Sequence, residues 1–129
     1  MNKAKYKIWT GGYMLKPEDY PLSFPFYVGA FDGKVYQGEL EKGEYSLIET
    51  SFLALPYIGL QDKNEVEIAV GDIIKKSSGA IGEVVYLKAT VGYKLYNNGQ
   101  VFDLFEADAR YLEVVGNIYE NPELLKDKR

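Results

Sequence analysis

The chain is a succession of short runs rich in β-branched and aromatic residues, each ending at a turn signal. Asp32-Gly33 and Asn98-Gly99 each separate two such runs by two residues, which is the spacing of a tight β-hairpin. Windows with the 3.6-residue period of an amphipathic helix are nearly absent. The pattern therefore predicts an all-β protein, built as a barrel or a sandwich.

The first hairpin is expected to join strands at Phe26–Phe31 and Lys34–Leu40 through a two-residue type I′ turn at Asp32-Gly33. At the other end of the chain, Asn121 is a suitable N-cap and Pro122 suits the first helical position. These two residues predict a short C-terminal helix after the last strand.

Two residue types are absent from the sequence, and their absence limits the reactions that the protein could catalyse. The chain has no Cys, which excludes disulfides, zinc–thiolate sites and a Cys nucleophile. It also has no His, the usual general base at neutral pH and the commonest metal ligand. We therefore expect a protein that is not an enzyme and that holds no metal and no cofactor.

Charge is distributed unevenly along a chain whose net charge is −4. The charged side chains of residues 1–16 are all basic, whereas residues 17–50 carry seven acids and two lysines. The basic segment is explained most simply as an edge strand protected by lysines. It could also be an arm that docks on an acidic face of a neighbouring subunit.

No leader peptide and no apolar stretch long enough for a membrane helix are visible, so we expect a cytoplasmic protein without membrane contact. The chain length fits one domain, or one small domain with an elaborated N-terminal half. We divide it into an N-terminal β-rich extension, residues 1–55, and a C-terminal domain, residues 56–129.

Two blocks in the C-terminal part carry a family resemblance. The first is Tyr57-Ile58-Gly59-Leu60-Gln61-Asp62-Lys63-Asn64, followed by Glu67-Ile68 and then Gly71-Asp72-Ile73-Ile74-Lys75. The second is Leu112-Glu113-Val114-Val115-Gly116-Asn117-Ile118-Tyr119-Glu120-Asn121-Pro122-Glu123-Leu124. Together they resemble the YopX family of phage and prophage proteins, over residues 56–126, with residues 10–50 outside the resemblance.

The resemblance implies a small β barrel of the Src-homology-3 type in the C-terminal half, with additional β structure before it. It also implies a phage or prophage origin. The family offers no established activity, so no catalytic residue can be transferred. One departure concerns a turn: Glu65 stands where the family has Gly after Asn.

Two groups of acidic residues are candidate metal sites. Asp72 and Glu83 have the separation of a metal-dependent nuclease pair, but Val85 stands where the accompanying Lys is needed. Asp103, Glu106 and Asp108 form an acidic cluster without the Gly and spacing of a Ca²⁺ loop. A metal-dependent hydrolase is therefore an unfavoured alternative.

One group of aromatic and basic residues on adjacent predicted strands forms a candidate binding face. Its members are Lys75, Lys76, Tyr86, Lys88, Tyr93, Lys94, Tyr96 and Phe102. Such rings could stack on bases while the lysines meet phosphates. Alternatively the rings complete the core and the lysines keep strand edges soluble, which we prefer.

The expected function is therefore a non-enzymatic protein–protein interaction module, assembled as a homo-oligomer or bound to an unidentified host or phage protein. A nucleic-acid-binding barrel that uses the candidate face is the alternative, although the net charge does not favour it.

Overall fold

The computed structural model describes residues 6–19, 26–29, 32–41, 43–87, 92–104 and 110–125. Contacts group the chain into two compact units, Met1–Pro56 and Tyr57–Arg129. Among the described residues the strands are β1 (Tyr6–Trp9), β2 (Met14–Leu15), β3 (Phe26–Val28), β4 (Lys34–Glu41), β5 (Glu44–Gln61), β6 (Glu67–Ala69), β7 (Asp72–Lys76), β8 (Ile81–Leu87), β9 (Gly92–Asn97), β10 (Gln100–Asp103) and β11 (Leu112–Asn117). Short 3₁₀ turns lie at Pro17–Asp19 and Pro122–Leu125.

The prediction of an all-β protein is confirmed, since every strand pairing is antiparallel and the described residues contain no α-helix. In this part of the chain no helix is long and apolar enough to cross a membrane. The N-terminal unit contains the strand order β2-β1-β5-β4-β3. Ile8 from β1 and Val35 from β4 are fully buried in it, because alternate residues of a strand face the same side of a sheet.

The C-terminal unit is built on a second sheet with the order β10-β9-β8-β7-β11. Ile74, Val84, Leu95 and Leu112 come from four neighbouring strands of this sheet and pack with Ile68 of β6 into one buried cluster. The described pairings leave β10 and β11 as the two ends of an open order, so the predicted Src-homology-3-type barrel is not confirmed.

The two predicted hairpin turns differ in outcome. Asn98 and Gly99 have φ angles of 50° and 80° and connect β9 to β10 as a two-residue turn, as predicted. The prediction at Asp32-Gly33 is wrong. Strand pairing stops at Val28 and the amide of Gly29 still donates to the carbonyl of Lys34, so the connection is wider than the two residues Asp32 and Gly33.

The reason lies in the Asp32 side chain. Its carboxylate accepts a hydrogen bond from the Lys34 amide at 2.9 Å and another from the Tyr36 hydroxyl at 2.6 Å. These two bonds favour the wider loop, because a tight I′ turn offers Asp no comparable partners.

The predicted C-terminal helix is also not confirmed. The segment after β11 is a single 3₁₀ turn, in which the Leu124 amide donates to the Asn121 carbonyl at 3.1 Å. Asn121 does not act as an N-cap, because its side-chain oxygen accepts a hydrogen bond from the preceding Asn117 amide at 3.2 Å.

Glu65 occupies a backbone conformation that disfavours side chains. Its φ is 63°, in the turn between β5 and β6, at the position where the family resemblance places Gly. We expect Glu65→Gly to raise the free energy of unfolding by up to about 1 kcal/mol, because relief of left-handed strain exceeds the entropy that Gly adds to the unfolded chain. Urea denaturation of both variants measures the change, and a loss of stability would contradict it.

Candidate functional site

The predicted candidate binding face is divided between the two sides of the C-terminal sheet. Lys75, Lys94 and Tyr96 alternate with the core residues Ile74 and Leu95, so they point away from the core cluster. Tyr93 and Phe102 pack against that cluster. The rings that were expected to share one surface with the lysines therefore lie partly on the opposite side of the sheet.

The remaining members of the predicted face follow the same division. Tyr86 lies directly opposite Tyr93, with ring centres 5.3 Å apart in an edge-to-face arrangement. Lys76 lies opposite Leu112 at the end of β7, and Lys88 lies outside the described residues. Ligand binding by the residues on either side of the sheet stays a prediction.

In the N-terminal unit, β4 and β5 extend beyond their neighbours. β3 pairs with β4 only as far as Gln37, and β1 pairs with β5 only from Leu53 onward. Past these points β4 and β5 pair with each other alone, over residues 38–41 and 44–47. We call this two-stranded segment the β4–β5 ribbon; within the described structure both of its edges lack a neighbouring strand.

Apolar side chains are exposed on both faces of the sheet where the β4–β5 ribbon begins. Leu47 belongs to the ribbon and Ile48 is the next residue of β5, so their side chains point to opposite faces, and 54% and 49% of their surfaces are exposed. A two-stranded hairpin without a covered face is marginally stable in water. The ribbon thus has the features of a surface that another chain covers.

A second candidate site is a cleft of about 260 Å³ in the C-terminal unit. It lies where the ends of β7 and β11 meet the turn between β5 and β6. Lys63, Lys75, Lys76 and Arg110 line it together with Ser77, Tyr111 and Glu113. We call it the basic cleft.

Backbone hydrogen bonds fix the walls of the basic cleft. The Lys63 amide donates to the Leu112 carbonyl at 3.0 Å, and the Ser77 amide donates to the Tyr111 carbonyl at 2.9 Å. Lys75 lies directly opposite Glu113 in the pairing of β7 with β11. The charged side chains therefore project from a hydrogen-bonded frame.

Only part of the positive charge in the basic cleft is neutralised by the protein. The Lys63 ammonium and the Glu113 carboxylate are 3.7 Å apart, and the Arg110 guanidinium lies 5.0 Å from the centre of the Tyr111 ring. Within the described part of the chain no carboxylate forms an ion pair with Lys75, Lys76 or Arg110.

The sequence identified Lys75 and Lys76 but missed the other residues of the basic cleft. Arg110 lies far from them in the sequence and becomes their neighbour through the pairing of β7 with β11, while Lys63 is placed there by the hydrogen bond from its amide to the Leu112 carbonyl. A prediction of that non-local strand pair would have found the site, since no local motif marks it.

The carboxylates considered for a nuclease do not converge. Glu83 lies opposite Ile73 in the β7–β8 pair, whereas Asp72, the residue before Ile73, points to the other face of the sheet. Burial raises the pKa of Glu83, while the Asp72 carboxylate accepts a hydrogen bond from the Ala69 amide at 2.8 Å. Two carboxylates on opposite faces cannot share one metal ion.

The described residues contain no group of three or more acidic side chains placed to hold a metal ion. Glu106 and Asp108, two members of the other acidic cluster, lie outside the described residues, as does the side chain of Asp103.

The two sequence blocks that carry the resemblance meet at one buried carboxylate. Asp62 accepts hydrogen bonds from the amides of Asn64 at 2.8 Å, Val66 at 2.9 Å and Val114 at 2.9 Å. Burial opposes ionisation of this group, but the three amide bonds outweigh it and lower its pKa below 3.8. Asp62 thus ties the first block to β11 and has a structural role.

Comparison with known proteins identifies one matching family model and similar solved structures. The family model described as YopX protein matches residues 30–126, so the match extends further toward the N-terminus than the residues 56–126 that the sequence blocks indicated. Residues 30–50 were therefore wrongly placed outside the resemblance. A search of curated proteins found no significant match.

Two solved structures share the fold. Protein EF1440 from Enterococcus faecalis is 21% identical, with a TM-score of 0.61 over 95% of this chain and 97% of that one. Protein yopX from Bacillus subtilis is 17% identical, with a TM-score of 0.52 over 97% of this chain and 100% of that one. At these identities the likeness concerns architecture alone.

Proposed function

The chain belongs to the YopX family, and from this premise we propose that it is a non-enzymatic interaction protein that assembles with a second copy of itself through the β4–β5 ribbon. The observation that carries the proposal is the exposure of Leu47 in this two-stranded segment and of the adjacent Ile48 on the opposite face of the sheet. A phage or prophage origin and a place in the host cytoplasm stay predictions.

The free edge of β5 is the surface best suited to self-association. Its backbone groups between residues 44 and 52 have no partner strand on the side away from β4 within the described structure. Two such edges can pair antiparallel around a two-fold axis, which is the symmetry of the commonest homodimers. The free edge of β4 is shorter, since it offers only residues 38–41.

Charge along β5 permits a register of this pairing that is centred on Leu47. A two-fold axis at Leu47 places the two Leu47 side chains opposite each other and Glu44 opposite Thr50 of the second copy. Because every acid of the segment then faces a neutral residue, the pairing avoids the like-charge contacts that destabilise sheets. Strand addition also covers the apolar side chains that the ribbon exposes.

The absence of His and Cys supports a non-enzymatic role, because the usual groups for proton transfer and nucleophilic attack at neutral pH are missing. The separation of Asp72 and Glu83 on opposite sheet faces gives no support to a nuclease.

Light scattering coupled to size-exclusion chromatography tests the assembly. At tens of micromolar we expect the wild-type mass to be twice the chain mass of 14.6 kDa. Leu47→Glu should return the mass to that of one chain, because two carboxylates would face each other at the axis. Val101→Glu is the matched control: Val101 is 51% exposed on β10, and its replacement should leave the dimer intact.

A wild-type monomer under these conditions would refute the proposal. A dimer that Val101→Glu dissociates and Leu47→Glu does not would place the interface on β10 instead.

Cross-linking tests the register directly, because the natural chain has no Cys. Directly opposite residues in an antiparallel pair have Cβ atoms about 4.5–5.5 Å apart, close enough for a disulfide after slight adjustment. We expect Leu47→Cys to form a disulfide-linked dimer on mild oxidation, and Val101→Cys to stay unlinked. A dimer in which Leu47→Cys fails to cross-link would contradict the axis at Leu47.

A further inference from the structure

The basic cleft concentrates positive charge in an acidic protein. Four basic side chains and one acid line it, although the whole chain has a net charge of −4. Like charges gathered in one place repel each other, and folding alone gives no reason to hold them together. Such an arrangement is typical of sites whose charge an anionic ligand completes.

The backbone that carries these cations is held in place before any ligand arrives. Lys75 projects from β7, and the Lys63 and Ser77 amides donate to the carbonyls of Leu112 and Tyr111. Only side chains must then become ordered on binding, which limits the entropy cost. Glu113 neutralises Lys63 and leaves the other three cations available.

The residue types favour a phosphate group. Arg presents a planar fork of donors that matches phosphate oxygens, and Lys adds point charges around it. Ser77 is an exposed residue of the lining with a hydroxyl that can donate a further hydrogen bond. Glu113 would repel any anion, so three or four cations are needed to outweigh it.

The volume of the basic cleft and the Tyr111 ring indicate a ligand larger than an isolated anion. The cleft measures about 260 Å³, and Tyr111 at its edge is 47% exposed. Arg110 covers one face of this ring at 5.0 Å. Aromatic rings and guanidinium planes are the surfaces on which nucleic-acid bases stack.

We propose that the basic cleft binds a phosphate ester that carries a planar base, the chemistry shared by free nucleotides and single-stranded nucleic acid. Lys75, Lys76 and Arg110 contact the phosphate, and the base lies against the Tyr111–Arg110 pair. The inference is independent of the β4–β5 ribbon and of the dimer.

Isothermal titration calorimetry at low salt, with pyrophosphate, AMP and a ten-nucleotide oligodeoxyadenylate, tests the proposal on the full chain. We expect AMP or the oligonucleotide to bind more tightly than pyrophosphate, with an affinity that falls as salt is added. Tighter binding of the oligonucleotide than of AMP identifies a nucleic-acid strand as the ligand, whereas equal affinities identify a free nucleotide.

Charge-neutralising variants locate the binding. Lys75→Gln and Arg110→Gln should each weaken it about tenfold, because each removes a charge-assisted hydrogen bond. Glu113→Gln should strengthen it severalfold by removing the competing carboxylate. Lys16→Gln is the control, since it removes one exposed positive charge outside the cleft and should leave the affinity unchanged. Thermal unfolding of the unliganded variants verifies that they are folded.

Three results would overturn the proposal. The first is no detectable binding of any of the three probes at millimolar concentration. The second is binding that Lys75→Gln and Arg110→Gln leave unchanged. The third is equal affinity for pyrophosphate, AMP and the oligonucleotide, which would remove the base from the proposed ligand.

Discussion

Replacing Asp62 by Ala is expected to lower the free energy of unfolding by about 3 kcal/mol. The carboxylate is 5% exposed and accepts three backbone hydrogen bonds, one of which reaches Val114 across 52 positions of sequence. Its removal leaves three amides without an acceptor, each a cost of about 1–3 kcal/mol when water cannot replace it. Urea denaturation at pH 7 measures the loss.

Two comparisons sharpen this result. Asp62→Asn keeps one acceptor oxygen and should lose roughly half as much. Asp32→Ala removes an exposed carboxylate that also accepts two hydrogen bonds, and its effect should be much smaller because water takes over both donors. Equal losses for the Asp62 and Asp32 variants would show that burial does not determine the effect.

The lowered pKa of Asp62 gives the loss a pH dependence. Its ionised form is favoured in the folded state, so its contribution to stability is complete above pH 3.8 and disappears as pH falls through the lower folded-state pKa. The stability difference between wild type and Asp62→Ala should therefore be greatest near neutral pH and shrink in acid. A constant difference across that range would mean that Asp62 titrates normally.

Replacing Gly71 by Ala is expected to cost about 3 kcal/mol. Gly71 has a φ of 92°, which an L side chain adopts only with strain, and a Cβ there would lie 3.0 Å from Cε2 of the Tyr119 ring. Its carbonyl also accepts the Ile118 amide at 2.9 Å, so the backbone is not free to turn away. Strain and steric overlap each contribute roughly 1–2 kcal/mol.

A substitution at Gly59 measures the backbone strain without the steric overlap. Its φ is 85°, but a Cβ would meet no atom within 4 Å, so Gly59→Ala should cost only about 1 kcal/mol. Adding Tyr119→Ala should cost less in the Gly71→Ala protein than in wild type, because there the loss of the ring also relieves the overlap with the new Cβ. Strictly additive losses in this double-mutant cycle, measured by urea denaturation, would exclude the ring contact as a cause.

Features that depend on adjacent residues could be predicted from the sequence. The Asn98-Gly99 turn needs two positive φ angles, which its own residues supply. The Asp32-Gly33 turn failed because a side chain found partners two and four residues away, in Lys34 and Tyr36.

The candidate sites could not be predicted from the sequence, because they depend on contacts between residues distant in the chain. The basic cleft needs Lys63 and Arg110 beside Lys75. The pairing of β7 with β11 brings Arg110 there, and the bond from the Lys63 amide to the Leu112 carbonyl brings Lys63 there. The β4–β5 ribbon is defined by where β1 and β3 stop pairing, a property of neighbours rather than of its own residues. By contrast, the blocks around Asp62 and Asn117 were recognisable because each is a run of adjacent residues in which a side chain bonds nearby backbone amides.

The position of β11 has a consequence for how the protein is made. β11 pairs with β7, about forty residues earlier, and supplies Leu112 to the buried cluster. The ribosome must therefore synthesise all the residues from β7 to β11 before this sheet can be completed, and until then β7 presents an open edge. Pairing of strands so distant in sequence is slow, and open edges recruit other chains. Nascent or C-terminally truncated chains should accordingly be the aggregation-prone and protease-sensitive forms of this protein in cells.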